Sequence, residues 1–253
     1  MQELLTLPAA VTATGRCPSR TSDKYLFVPT EQIAQELMSH GWKVSSAVAT
    51  RTKVEDRQGF TKHMVRFRPM GDKNTIKLGD SIAELLLVNS HDATTSYQFR
   101  SGVYRMVCGN GMIVSETEFA GVRVSHKGGL QEIIDASLAV AERLPELVSV
   151  VNSMKAKMLT PMQQMDFAVQ AAELRHGKGT TVTPDTLLRL QREEDNGMDL
   201  WRTFNVVQEN IMHGGGVGQL SNGDFRRLRP VKGVDKNIKV NEGLWELAAG
   251  MVR

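Results

Sequence analysis

WKVSSAVATRTKVEDRQGFTKHMVRFRP, residues 42–69, decides the fold class. Along it Val44, Ser46, Val48, Thr50, Thr52 and Val54 alternate with Ala49, Arg51 and Lys53. After a turn at 55–59 the alternation resumes over residues 60–68. Strand side chains point to opposite faces with a period of two, so this stretch reads as a β-hairpin or meander. Pro69 and Gly71 close it.

Upstream, residues 8–24 are small, polar and punctuated by Pro and Gly, which predicts a mobile or draped arm. Thr30 reads as the N-cap of a short helix with Ile33, Ala34, Leu37 and Met38 on its apolar stripe, ended by Gly41. Downstream, residues 83–88 are a buried-strand candidate, 94–100 and 103–108 a strand pair turning at Ser101 and Gly102, and 110–125 one more strand. After Gly128 and Gly129 the period changes. Leu130, Ile134, Leu138, Ala141, Leu144, Val148 and Val151 recur at helical spacing, with Pro145 placed to kink or divide the helix. Thr160 and Pro161 start a helix that Gly177 stops, and Thr183 with Pro184 repeats the start signal. Asp199 opens a helix carrying Leu200, Phe204, Val207 and Ile211, which ends at Gly214, Gly215 and Gly216. Residues 217–240 read as irregular and basic, with Asn241 capping a terminal helix that holds Trp245, Leu247 and Met251.

Strands followed by helices, without βαβ alternation, mean an α+β fold: an antiparallel β-sheet or meander, then a long helix and a helical C-terminal part. The expected division is a mobile arm over 1–28, an α+β core over 29–178, and a helical, basic region over 179–253 packed on that core.

At 253 residues the chain can bury a sizeable core, and 41% hydrophobic with 23% charged residues is ordinary globular composition. Aromatics are 6%, too few for a long base-stacking platform. The two cysteines, Cys17 and Cys108, form no CxxC, which fits reduced thiols. No apolar run reaches membrane-spanning length and the N-terminal stretch lacks a basic n-region, so a soluble cytoplasmic protein with no membrane partner is expected.

The net charge of +3 is too small for bulk polyanion binding, but it is unevenly placed. Residues 51–73 hold Arg51, Lys53, Arg57, Lys62, Arg66, Arg68 and Lys73 against three acids. Residues 224–239 hold Arg226, Arg227, Arg229, Lys232, Lys236 and Lys239 against two. Each segment is therefore +4, leaving −5 for the rest of the chain. Lys62, Arg66 and Arg68 share one strand parity, and such a row can follow a phosphate backbone. A solvated sheet face is also often rich in Lys and Arg, partly to discourage edge pairing.

Signatures of a chemical centre are weak. Asn89, Ser90, His91 and Asp92 stand in a row, and His91 with Cys108 would form a Cys–His pair oriented by Asn89 or Asn110. The alternative is that Asn89 and His91 bond loop backbone while Cys108 is a small core residue. The six histidines, His40, His63, His91, His126, His176 and His213, are scattered singly, so no metal site is expected. Gly109, Asn110 and Gly111 read as a tight turn, and the glycines at 214–216 follow a helix rather than preceding one, which disfavours a phosphate cradle.

In combination, Leu87, Val88, Asn89, Ser90, His91 and Asp92, then Tyr97, Gly102, and Arg105, Met106, Val107, Cys108, Gly109, Asn110 and Gly111, form a block with family character. The sequence resembles the phage- and plasmid-associated proteins of unknown function, often labelled phage/plasmid-like or UPF-type. The resemblance continues through Trp201, Arg202, Thr203, Phe204 and Asn205, Gln208, Glu209 and Asn210, Gly214 and Gly215, and then 229–231, Asn241, Leu244 and Trp245. The resemblance implies a mobile-element setting, the cytoplasm of a bacterial host cell, and no established activity. The layout is also similar to that of phage single-strand annealing proteins, a likeness at fold level only.

These readings converge on a nucleic-acid-binding or annealing protein that needs no cofactor and takes single-stranded DNA by preference. Arg51, Lys53, Lys62, Arg66, Arg68, Arg105, Arg226, Arg227 and Arg229 would contact phosphates, and Asn89, His91, Cys108, Asn110 and Gly111 would shape the supporting turns. Homo-oligomerisation would multiply weak contacts. Two other readings stay open: an accessory protein that binds a host protein such as a defence component, and a small hydrolase-like enzyme using Cys108 and His91.

Overall fold

The computed structural model describes residues 7–70, 81–106, 110–114, 121–219 and 222–252. The chain forms two compact units, Met1–Leu147 and Val148–Arg253. This division lies well before the expected boundary near 178.

The first unit is built on a six-stranded antiparallel sheet. Helix α1 (Thr30–Ser39) leads into β1 (Trp42–Ala49), β2 (His63–Pro69), β3 (Ser81–Asn89), β4 (Tyr97–Arg105), β5 (Asn110–Ile113) and β6 (Val122–Val124). The strands run β1-β2-β3-β4-β5 in space, and β6 also pairs with β4. Register places His63 opposite Asn89, Phe67 opposite Leu85, and Leu87 opposite Phe99. One face therefore carries Val65, Phe67, Leu85, Leu87 and Phe99, all wholly buried. The other carries Met64, Arg66, Arg68, Glu84, Leu86 and Arg100. Helix α2 (Leu130–Glu142) packs on β3, β4 and β6, burying Ile133, Ile134 and Val140.

Several sequence expectations change here. Ser101 and Gly102 do not turn the chain; β4 runs straight through them. Gly102 is there because a Cβ would lie 2.4 Å from Leu86 Cδ1 and 2.8 Å from the Met112 carbonyl oxygen. The single strand expected over 110–125 is two, β5 and β6. Thr30 is the first helical residue and caps nothing, because its hydroxyl is engaged elsewhere. Of the two states expected for the arm, mobile or draped, its described part takes the second: Val11 and Cys17 have no exposed surface. The periodic stretch after Gly129 does divide, at Arg143, into α2 and α3 (Leu144–Ala156).

The second unit holds α4 (Pro161–His176), β7 (Val182–Thr183), α5 (Leu200–His213), β8 (Val217–Gln219), β9 (Phe225–Arg227) and α6 (Val234–Gly250). Thr160 caps α4 in a reciprocal capping box with Gln163, and Gly177 ends the helix at φ 94°. Thr183 and Pro184 open only a short 3₁₀ turn, Pro184–Leu188. Residues 217–240 are irregular only in part, since those described include β8, β9 and the start of α6, and Asn241 lies inside α6 rather than at its cap. Helix α5 is the core element, packed by α4 and α6. Phe204 meets Trp201, Phe167 and Trp245 at ring separations of 5.8, 6.4 and 6.1 Å. Two of its buried amides tie it to neighbouring segments: Gln208 donates to Asn241, and Asn210 donates to the carbonyls of Leu187 and Arg189. Among the described residues, no helix is long and apolar enough to cross a membrane.

Candidate nucleic-acid interface

In the second unit, β7, β8 and β9 form a small antiparallel sheet. Rows cross it: Val182 opposite Gly218 opposite Arg226, and Thr183 opposite Val217 opposite Arg227. The strands are anchored to the end of α5. Leu228 N–H donates to the Gly216 carbonyl, Val231 N–H to the Met212 carbonyl, and Arg227 Nε to the Gly214 carbonyl. Gly214 ends α5 in the left-handed region at φ 79°, and a side chain there would meet the Leu228 carbonyl oxygen at 2.3 Å. The glycine run thus serves close backbone packing, which holds the basic segment in place.

Along this sheet lies an open groove of about 510 Å³, lined by Arg226, Arg227 and Arg229 with His176, Thr181 and Gln219. The three arginines are exposed. Arg175 donates to the Arg229 carbonyl and to the Ile211 carbonyl, fixing the groove's floor to α5. Arg175 Nε also donates to His176 Nε2 at 3.2 Å. Burial, and then the cations Arg175 and Lys236, push the His176 imidazole below its ordinary pKa, so it faces the groove neutral. The groove offers cationic and neutral donors for a polyanion.

The first unit's basic residues fare differently. Arg66 is buried, and its Nη1 bonds Glu84 at 2.7 Å while Nη2 donates to the Gly111 carbonyl. Arg68 bonds the other oxygen of Glu84 at 2.7 Å and lies 3.3 Å over the Tyr104 ring. The two do share a face, as their parity predicts, but their charge answers a carboxylate with no exposed surface. Arg105 is buried and engaged, and Lys62 is half-buried and engaged. These placements remove Arg66 and Arg105 as phosphate contacts. Arg51 and Lys53 remain exposed, Arg51 beside an open cleft with Pro8, Gln58 and Thr61.

The residues expected to shape turns do something more specific. Asn89, Ser90, His91 and Asp92 are all fully buried. Thr30 Oγ1 accepts from Asn89 Nδ2 at 3.0 Å and bonds His63 Nε2 at 2.8 Å and His91 Nε2 at 3.1 Å. His63 Nδ1 bonds the Thr61 carbonyl, so it carries the proton, and Nε2 must accept from the Thr30 hydroxyl. His91 Nε2–H then donates to Thr30, and its Nδ1 stands without a partner. Burial lowers the pKa of His63 to about 4, and burial with the neighbouring histidines lowers that of His91 to about 3. Asp92 pairs with Arg57 at 2.7 Å, Tyr25 OH donates to the Ser90 carbonyl, and Cys17 N–H donates to the His91 carbonyl. The motif is a knot that ties the N-terminal arm, α1 and β2 to the end of β3. Sequence spacing missed the pairing of His63 with His91 because only the β2–β3 register brings residues 28 apart together. Gly111 has a related role: a Cβ there would lie 2.6 Å from the Arg66 guanidinium. Cys108 falls outside the described residues, as does the side chain of Asn110. Among the described residues no cluster of three or more His, Cys, Asp or Glu could hold a metal ion.

Residues 19–245 match the family described as "Domain of unknown function (DUF932)". The chain belongs to the DUF932 family. It is 32% identical over 253 residues to UPF0380 protein YafZ of Escherichia coli (strain K12), covering 99% of this chain and 90% of that protein. It is 33% identical over 249 residues to UPF0380 protein YfjQ of the same strain, covering 98% and 89%. No solved structure matches this DUF932 chain.

Proposed function

We propose that this DUF932 protein binds nucleic acid, single-stranded DNA by preference, and acts as a homo-oligomer without a cofactor. The observation that carries this reading is the groove of the second unit, where Arg226, Arg227 and Arg229 are exposed and seated on a backbone fixed to α5. Cations held in place lose little freedom on meeting a phosphate chain, and each phosphate neutralised releases condensed counterions. Arg51 and Lys53 offer a second exposed contact region in the first unit.

The test is fluorescence anisotropy with a labelled single-stranded oligonucleotide at 50 and 200 mM salt. Binding should weaken steeply with salt, and replacing Arg226, Arg227 and Arg229 by Ala should flatten the logarithmic salt slope by about 2. Absence of binding at 50 mM salt sinks the proposal. In that event the protein-partner reading gains ground, since Met158, Met162 and Met198 are exposed and the segments around Met158 and Met198 are joined by a β-bridge.

A further inference from the structure

Most aromatic rings among the described residues are placed inside. Phe67, Phe99, Phe167, Phe204, Tyr97 and Trp245 are essentially without exposed surface. Among the described residues, Phe225 is the one Phe, Tyr or Trp that is exposed, at 67%. Leaving a phenylalanine in water forgoes about 2 kcal/mol of burial, so its position asks for a reason. Phe225 opens β9 opposite Gln219, a groove residue. Just before it, Gln219 Nε2 donates to the Gly223 carbonyl and Asp224 N–H to Asn222 Oδ1.

The ring's neighbours match its chemistry. Arg226 and Arg227 follow it on the same strand and Arg229 lies two residues on. Phe225 and Arg227 are two apart, so they project from one face, roughly 6.6 Å from each other along the strand. Arg226 projects from the opposite face. The one acid beside them, Asp224, bonds the Asn222 side-chain amide. A flat apolar ring next to guanidiniums fits a ligand with both a π-face and an anionic backbone. An unpaired base has a free face to lay on such a ring, whereas a base within a duplex has both faces covered by its neighbours.

We propose that Phe225, which does not line the groove but pairs with Gln219 of its lining, is a stacking platform for an unpaired base of a strand held there, which makes this segment selective for single-stranded over double-stranded nucleic acid. This inference rests on the nucleic-acid reading above. It is tested on the full chain with a labelled 20-nucleotide strand, the same strand as a duplex, and a strand of abasic sites. Wild-type protein should prefer the strand to both controls. Phe225→Ala should weaken strand binding about tenfold while leaving the salt slope unchanged, and Phe225→Trp should retain binding with its added fluorescence quenched by the strand. The ring is exposed, so circular dichroism should show both variants folded. If the arginine substitutions weaken binding but Phe225→Ala does not, or if duplex and abasic strand bind as tightly, stacking is refuted and the phosphate groove stands. If wild-type protein binds none of the three, both readings fall together.

Discussion

Glu84 shows what a single residue does in this protein. Its side chain has no exposed surface, and it accepts from Arg66 through one oxygen and Arg68 through the other. Removing one partner of a buried ion pair leaves an uncompensated charge, a loss of about 3 kcal/mol or more. Glu84→Gln should therefore lower stability by that order in urea denaturation. The loss should shrink in an Arg66→Met background, because the two side chains are coupled. Additive effects would show that Glu84 is not the anchor of this layer. The sequence placed Arg66 and Arg68 on one face by parity, but the carboxylate that claims them lies sixteen or more positions away and reaches them only through strand pairing. A row of bases looks the same in sequence whether it faces solvent or an internal acid.

At the level of elements, Gly102 separates a turn from a crossing point. A Cβ there would press on Leu86 and on the Met112 carbonyl, so Gly102→Ala should push β4 away from β3 and β5. The expected loss is about 1–3 kcal/mol, read as a lower thermal midpoint, and an unchanged midpoint would mean that the sheet gives way freely. Local signals served where the structure is local. The hairpin alternation, the Thr160–Pro161 start, the stops at Gly41, Gly177 and Gly214, and the break near Pro145 were all legible, since each depends on a few adjacent residues. What failed was non-local: a mid-strand glycine selected by its neighbours, a Thr30 that bonds histidines instead of capping, and an Asn241 that serves α5 from inside α6. Of the candidate interface, the arginines at 226, 227 and 229 were legible as charge. Phe225 was not, because nothing local says that an aromatic residue will stay outside.

For the molecule as a whole, the buried histidines set a pH response. His63 and His91 are neutral when folded, with pKa values of about 4 and about 3, against 6.5 for an unfolded chain. Above 6.5 both states are neutral and stability is complete. As pH falls below 6.5 the unfolded chain takes up protons that the folded chain refuses, so stability drains until the folded rings titrate. Between pH 7.5 and 5 each ring should account for a loss of about 2 kcal/mol. Urea midpoints at pH 7.5, 6 and 5 measure this in a range where carboxylates stay ionised. A His63→Asn variant should show a decline smaller by about 2 kcal/mol, and a flat wild-type profile would contradict the neutral assignment.

The knot around Thr30 also bears on the order of assembly during synthesis. The segment 25–30 leaves the ribosome early, yet Leu26 bonds the carbonyl of His126 and Thr30 waits for Asn89 and His91. Roughly a hundred more residues must be made before this segment can dock fully. Until then Phe27 and Val28 are sticky sites open to a chaperone, and the nascent first unit cannot close before its last sheet strand has emerged.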